Sequence, residues 1–176
     1  ESGSASSFDV AGVIGSDGFY PAAWHAIVSL VAMTTGASVP VAAMSVSLVV
    51  AAGVWPVAIA ALVRTAVGRA DVTAVVAAIS ASLPIFPMLL LQWGVLYPNA
   101  LSIAIVPAAA AWVLYARRFV TDGPFARSVG WSVWTLIMLA GIGAIALAQP
   151  SALLTLGLLM VMWPIAQTLR ARRRVR

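Results

Sequence analysis

Five long apolar stretches dominate this chain, and its arginines are confined to alternate gaps between them and to the C-terminal end. The stretches are Val39–Val63, Val72–Trp93, Ala100–Ala116, Val129–Ala148 and Ser151–Leu169. A helix of about 20 residues crosses a hydrocarbon layer about 30 Å thick, and each stretch is close to or above that length once the third includes Pro98 and Asn99. Only 9% of residues are charged, against about a quarter in soluble domains. The sequence therefore predicts an all-α, polytopic transmembrane helical bundle with five spanning helices.

Every arginine lies in a gap beside an apolar stretch, and the chain has no lysine. The three groups are Arg64 and Arg69; Arg117, Arg118 and Arg127; and Arg170, Arg172, Arg173, Arg174 and Arg176. Cytoplasmic loops of membrane proteins carry this excess of positive charge, whereas a nucleic-acid-binding domain carries it on one folded face. We therefore expect a multi-pass protein of the plasma membrane with a cytoplasmic C-terminus, membrane lipids as partners and no nucleic acid.

The segment before the first span divides into a polar part and an apolar part. Residues 1–18 are rich in Ser, Gly and Asp, and Pro21–Thr35 is apolar but only about 15 residues long. If the second part crossed the membrane, every arginine group would face outward. We therefore expect a polar outer loop over 1–18 and an outer juxtamembrane helix within 19–37, with Pro21 at its first position and Gly36 at its end. The bundle then occupies 38–170, and a basic cytoplasmic tail occupies 171–176.

Prolines interrupt four of the five predicted spans. They are Pro56, Pro84, Pro87, Pro107 and Pro164. Each removes a backbone donor, so the helix kinks unless neighbouring groups satisfy the freed carbonyl. The pair in Pro84-Ile-Phe-Pro87 predicts a bend in the outer half of the second span, which would open a cavity toward the outer face. The alternative is that prolines are simply commoner in transmembrane helices.

No soluble-enzyme motif is present, and cysteine is absent. With one histidine and five acids the chain offers few ligands for a divalent metal, and we expect no cofactor. The candidate substrate-binding residues are the polar and aromatic side chains predicted to collect on the outer side: Tyr20, Trp24, His25, Gln92, Trp93, Tyr97 and Asn99. No catalytic residue is assigned, because neither Asp9 nor Asp17 lies in a recognisable motif.

Two interpretations stay open for these candidates. His25 lies on an otherwise apolar helix, where it either binds a phosphate or moves a proton, or hydrogen-bonds a loop carbonyl in a helix anchored by Tyr20 and Trp24. Trp93 and Tyr97 are either both membrane-interface anchors, or Trp93 is a platform on which a sugar stacks. Asn99 either binds a ligand together with Gln92 or caps the following helix.

Four strings in the first two-thirds of the chain carry a resemblance to a known family. They are FYPAAWHAIVSLV, GVWPVAIAALVR, PIFP and WGVLYPNAL, and the resemblance as a whole covers roughly Phe19–Tyr115. These strings resemble a family of large actinobacterial membrane proteins that are similar to GT-C-type glycosyltransferases dependent on polyprenyl-phosphate sugars. The resemblance implies a partial GT-C-like fold in which Pro21–Thr35 is a juxtamembrane helix. It also implies an earlier span with an acidic motif before Glu1.

The resemblance implies an activity in the actinobacterial cell envelope. A sugar would be transferred from a lipid phosphate to an acceptor hydroxyl at the outer face of the plasma membrane. Polyprenyl-phosphate sugar would then be a partner. An alternative is a noncatalytic membrane subunit that packs against a larger envelope enzyme or transporter. The small residues of the predicted spans favour close helix packing, but they suit contacts within the chain equally well.

Overall fold

The computed structural model describes residues 21–83, 86, 89–90, 96–122 and 129–174, and the side chains of all of these except 116–122, 129–131 and 169–174. Within these ranges the chain forms helices joined by short turns and contains no strand. The helices are α1 (Ala23–Thr35), α2 (Val39–Val67), α3 (Ala70–Ser82), α4 (Tyr97–Asp122), α5 (Val129–Ala148) and α6 (Ser151–Arg174). The prediction of an all-α bundle is confirmed.

Three helices in the described ranges are long and apolar enough to cross a membrane. They are α2, the part Tyr97–Tyr115 of α4 and the part Ser151–Thr168 of α6, whereas α1 and α3 are shorter. In α5, the apolar part with described side chains, Ser132–Ala148, falls just below that length. The chain is therefore a multi-pass membrane protein. The predicted number of five spans is not confirmed, since three of the described helices are long and apolar enough to cross a membrane.

Helix α1 matches the predicted short helix but begins later than expected. The helix starts at Ala23 with Ala22 as its N-cap, so the prediction that Pro21 takes the first helical position is wrong. The predicted stop at Gly36 is confirmed: its φ is 69°, a left-handed conformation that glycine adopts without steric cost. Its backbone N–H donates to the Ala32 carbonyl and closes the last turn.

Helix α2 passes through Pro56 with one wide turn. An α-helical part, Val39–Val49, leads into a π turn, Val50–Val54, and a second α-helical part, Trp55–Val67. The Trp55 backbone N–H donates to the Val50 carbonyl, five residues back. Pro56 has no backbone N–H, and widening the preceding turn accommodates this loss without ending the helix. The predicted disturbance at Pro56 is therefore a local π turn inside a continuous helix.

Helix α3 is much shorter than the predicted span Val72–Trp93. The helix ends at Ser82, and Leu83 is extended, with φ −72° and ψ 128°. The residue before a proline avoids helical geometry because its backbone clashes with the proline ring, and Pro84 follows here. The helix is therefore interrupted at Leu83, and Phe86, Leu89 and Leu90 are helical again. The predicted cavity toward the outer face involves residues 84–95, most of which lie outside the described residues.

The helices alternate in direction around α4. Val46 and Val50 of α2 share a buried cluster with Ala100 and Leu101 of α4, whereas Leu62, farther along α2, packs against a second cluster that contains Ala110. Helices α2 and α4 therefore run in the same direction. Helix α3 returns alongside α2, and α5 and α6 form a hairpin through Gln149 and Pro150. The C-terminal ends of α2, α4 and α6, where the arginines occur, consequently lie at one end of the bundle.

Candidate functional site

Aromatic side chains from α1 and α4 meet at the end of the bundle opposite the arginines. The Trp24 ring lies flat on the Tyr97 ring, with the centroids 4.3 Å apart and the planes 7° apart. His25 meets the edge of Trp24 at 5.2 Å, with its ring nearly perpendicular. We call Trp24, His25 and Tyr97 the aromatic end. The structure thus brings together three of the seven residues predicted from the sequence.

Local helix geometry explains how these three side chains meet. Trp24 and His25 are the second and third residues of α1, and Tyr97 is the first residue of α4. Adjacent residues on a helix point about 100° apart, which follows from 3.6 residues per turn. Trp24 therefore faces the bundle, where it is 5% exposed, while His25 lies on the exposed side of α1.

The pKa of His25 lies below its usual value of 6.5, because partial burial removes water that would stabilise the charged imidazolium. The side chain is therefore mainly neutral at pH 7. A neutral imidazole carries one N–H donor and one nitrogen acceptor, so it can donate a hydrogen bond or accept a proton. The chemistry available at this position is that of an uncharged acid–base group.

Trp24 supports His25 from within the bundle. Tyr97 covers one face of its indole, and the side chain is almost completely buried, so the ring presents no open face to a sugar. Tyr97 is half-buried. We therefore expect Trp24 to hold α1 against the start of α4 and to fix the position of His25, rather than to contact a substrate.

Asn99 lies in the first turn of α4, two residues after Tyr97. The helix begins at Tyr97, and the first helical bond runs from the Ala100 N–H to the Leu96 carbonyl, so the alternative that Asn99 caps this helix is wrong. The backbone carbonyl of Asn99 accepts a hydrogen bond from the Ser102 hydroxyl at 2.8 Å. Tyr20, Gln92 and Trp93 lie outside the described residues, as do Asp9 and Asp17.

A second aromatic contact next to this end was not predicted from the sequence. The Trp55 indole N–H donates to the Ser80 carbonyl at 3.0 Å, and its ring packs on Phe86 at 4.3 Å. The Ser80 carbonyl would ordinarily accept from residue 84, which is proline and has no N–H. Trp55 thus replaces the missing donor. The signal was present in the sequence as a proline four residues after Ser80, but only the fold identifies the replacing group.

The opposite end of the bundle carries the cationic residues. Arg64 donates to the Gly68 carbonyl at 2.9 Å in the turn between α2 and α3. Arg69 and Asp71 form an exposed ion pair, and this hydrogen-bonded partner lowers the pKa of the Asp71 carboxyl. Within the described ranges, no three His, Cys, Asp or Glu side chains come close enough together to hold a metal ion.

Comparison with known proteins gives one result. No curated protein and no solved structure matches this chain. One family model matches residues 1–176, the whole of the sequence. The chain belongs to the family described as a family of unknown function, DUF6541.

Proposed function

We propose that this protein is a GT-C-like membrane glycosyltransferase of the actinobacterial cell envelope, or a part of one, that takes its sugar from a lipid phosphate at the outer membrane face. The observation that supports this most is the exposed His25, held by the Trp24–Tyr97 stack at the end of the bundle away from the arginines. The resemblance of the Tyr-Pro-Ala-Ala-Trp-His and Leu-Tyr-Pro-Asn strings to that class supports the same activity.

The two ends of α4 are separated by the thickness of a membrane. Tyr97 and Arg117 are 20 residues apart in sequence, which corresponds to about 30 Å along a helix. Because arginine is retained on the cytoplasmic side, the aromatic end is assigned to the outer surface. A lipid-linked sugar presented at that surface would have its phosphate at the level of His25.

The proposed reaction requires two kinds of group. The acceptor hydroxyl oxygen attacks the anomeric carbon, the bond from that carbon to the phosphate oxygen breaks, and the hydroxyl proton passes to a base. The departing phosphate takes the electron pair and is stabilised by hydrogen-bond donors. We assign to His25 the role of a hydrogen-bond donor, through its N–H, to the departing phosphate. The base is not assigned to a described residue.

Sugar transfer from radiolabelled polyprenyl-phosphate sugars tests this assignment. We compare the full-length protein with His25→Ala, His25→Gln and the control Ile27→Ala, which alters an exposed residue of the same helix. Loss of one donor to a developing negative charge costs about 10²–10³ in rate, so His25→Ala should fall by that factor. His25→Gln, which keeps an N–H donor, should retain more transfer, and the control should be unaffected.

The dependence on pH separates a direct role of His25 from a structural one. Because the pKa of His25 is below 6.5, its protonation changes only in acidic solution. Protonation adds a second N–H and a positive charge to the imidazole, so a direct contact with the phosphate should raise transfer by the wild type relative to His25→Gln as the pH falls below about 6.5. Equal transfer by wild type and His25→Ala would remove His25 from the site, and absence of transfer from every such donor would contradict the activity.

The proposed orientation has its own test. The chain has no cysteine, so single substitutions report sidedness directly. Leu96→Cys, at an exposed position beside the aromatic end, should react with a membrane-impermeant maleimide from outside. Arg172→Cys should react only after the membrane is permeabilised. Labelling of both cysteines from the same side would contradict the proposed orientation.

One observation favours a noncatalytic membrane subunit as the second candidate. The described part of the chain contains two carboxylate residues, Asp71 and Asp122, and both lie at the arginine-bearing end. The described aromatic end therefore offers no carboxylate base. If the purified protein transfers no sugar but restores transfer to a partner enzyme with which it copurifies, the subunit is the correct assignment.

A further inference from the structure

An apolar cleft of about 780 Å³ opens between α4, α5 and α6. All the residues that line it are apolar, and they include Trp112 of α4, Ile137 and Gly141 of α5, and Gly157 and Met160 of α6. Pockets for single small molecules occupy about 300–1,000 Å³, so the volume suits one flexible molecule or one of its chains. In lipid, such a space would be filled by hydrocarbon.

Small residues create the depth of this cleft. A Cβ atom added to Gly141 or Gly157 would meet no other atom within 4 Å. Ala108 and Ala144 line the same space. A side chain added at Gly141 or Gly157 would therefore begin in open space within the cleft.

The cleft reaches toward the arginine-bearing end of the bundle. Trp112 lines it, and the Trp112 and Tyr115 rings lie 6.3 Å apart, an aromatic pair of the kind that marks a membrane interface. Arg117 and Arg118 follow Trp112 by five and six residues on α4, about 8 Å along the helix axis. The apolar cleft therefore ends close to the turn of α4 that contains Arg117 and Arg118.

We infer that this cleft binds an acyl chain of an anionic phospholipid, with the lipid phosphate at the level of Arg117 and Arg118. The apolar lining matches the chain, and the two arginines match the charge of the headgroup. A transmembrane helix is about 10 Å across and needs an open face along its length, whereas this space has the volume of a single-molecule site. The inference is independent of the proposed enzymatic function.

Photocrosslinking in nanodiscs tests the inference. The probe is phosphatidylglycerol with a diazirine in its acyl chain, compared with the matching phosphatidylcholine, and labelled peptides are identified by mass spectrometry. We expect labelling of α4, α5 and α6 at the cleft. Phosphatidylglycerol should label about fivefold more strongly, the factor that corresponds to the attraction of one arginine for an anionic lipid surface.

A pair of substitutions on α5 provides the steric test. Gly141→Leu places a side chain in the cleft and should lower the labelling at least about tenfold, equivalent to 1.4 kcal/mol of binding. Gly143→Leu is the matched control, because its added Cβ also meets no atom within 4 Å but the residue does not line the cleft. Gly157→Leu on α6 gives the same steric test if Gly141→Leu does not fold.

Three results would overturn the inference. Equal labelling by the two lipids would show that charge does not select the occupant. Equal labelling in Gly141→Leu, Gly157→Leu and the control would place the lipid outside the cleft. A third result would identify the cleft as a surface on which another helix docks. In that case Gly141→Leu would leave lipid labelling unchanged but would abolish crosslinking to a second copy or a partner protein.

Discussion

Two regions of α4 pack in opposite ways. In its first half, Ala100 and Ala104 are buried in the cluster that contains Trp24 and Phe86, and the side chain of Ala104 is completely inaccessible. About one turn farther on, Ala108 and Trp112 are exposed and line the cleft, while Ala110 and Ala111 on another face of the helix are buried. One helix therefore supports a closed aromatic end and an open apolar space about one turn farther on.

This difference shows what holds a membrane bundle together. Lipid is as apolar as leucine, so burial of apolar area gives little driving force within the bilayer, and close packing and hydrogen bonds decide the contacts. Large flat rings fill the space at the aromatic end. Small residues of α4, α5 and α6 leave space unfilled at the cleft. The first region should therefore be sensitive to changes of size, and the second should tolerate them.

The largest effect is expected for Trp24→Ala. Aromatic-to-alanine changes in water-soluble cores cost about 3–5 kcal/mol, and about 2–3 kcal/mol is expected here because lipid can enter part of the space. The control Trp112→Ala removes a ring that is 39% exposed and should cost clearly less. Far-UV circular dichroism during detergent unfolding in mixed micelles measures both. Equal losses would abolish the distinction between the two regions.

A smaller effect is expected from enlarging alanines one turn apart on α4. Ala104→Leu inserts three carbons where no space is accessible and should destabilise the bundle by about 1–2 kcal/mol through overpacking. Ala108→Leu extends into the cleft and should be nearly neutral. The same unfolding measurement compares the pair. If Ala108→Leu were the more harmful change, the cleft would not be open in the folded protein.

The smallest effect is expected for Trp55→Phe, which removes the hydrogen bond to the Ser80 carbonyl but keeps an aromatic ring against Phe86. Loss of one partly buried hydrogen bond costs about 1 kcal/mol. Trp163→Phe is the matched control, since Trp163 also precedes a proline, Pro164, within a long apolar helix. Unfolding midpoints that shift equally would show that the Ser80 contact is not stabilising.

Much of the helical framework could be predicted from local sequence. The apolar stretch Val129–Ala148 is a helix with those bounds, and the turn at Gln149 and Pro150 separates it from α6 as expected. The long stretch beginning at Val72 was predicted as one continuous helix, whereas the helix is interrupted at Leu83. An apolar run indicates what lies in lipid, but Pro84 limits where the backbone can remain helical.

The candidate site was predictable in its residue types and not in its contacts. Trp24 and His25 were selected together because they are adjacent in an apolar helix, and Tyr97 because it lies in the predicted outer turn before the third span. The stacking of Trp24 on Tyr97 joins residues 73 positions apart, and no periodicity encodes it. Burial of Trp24 then changes its expected role from a substrate contact to a positioning residue.

The sequence alone determined that this chain is helical, lies in a membrane and concentrates its arginines at the ends of its helices, because hydropathy and charge act on each segment separately. Only the tertiary structure decided which aromatic rings touch and where the helices leave a cleft. Those outcomes depend on how side chains from distant segments fill a shared space. The indole of Trp55 on the Ser80 carbonyl illustrates this, since a donor missing in one helix is supplied by another.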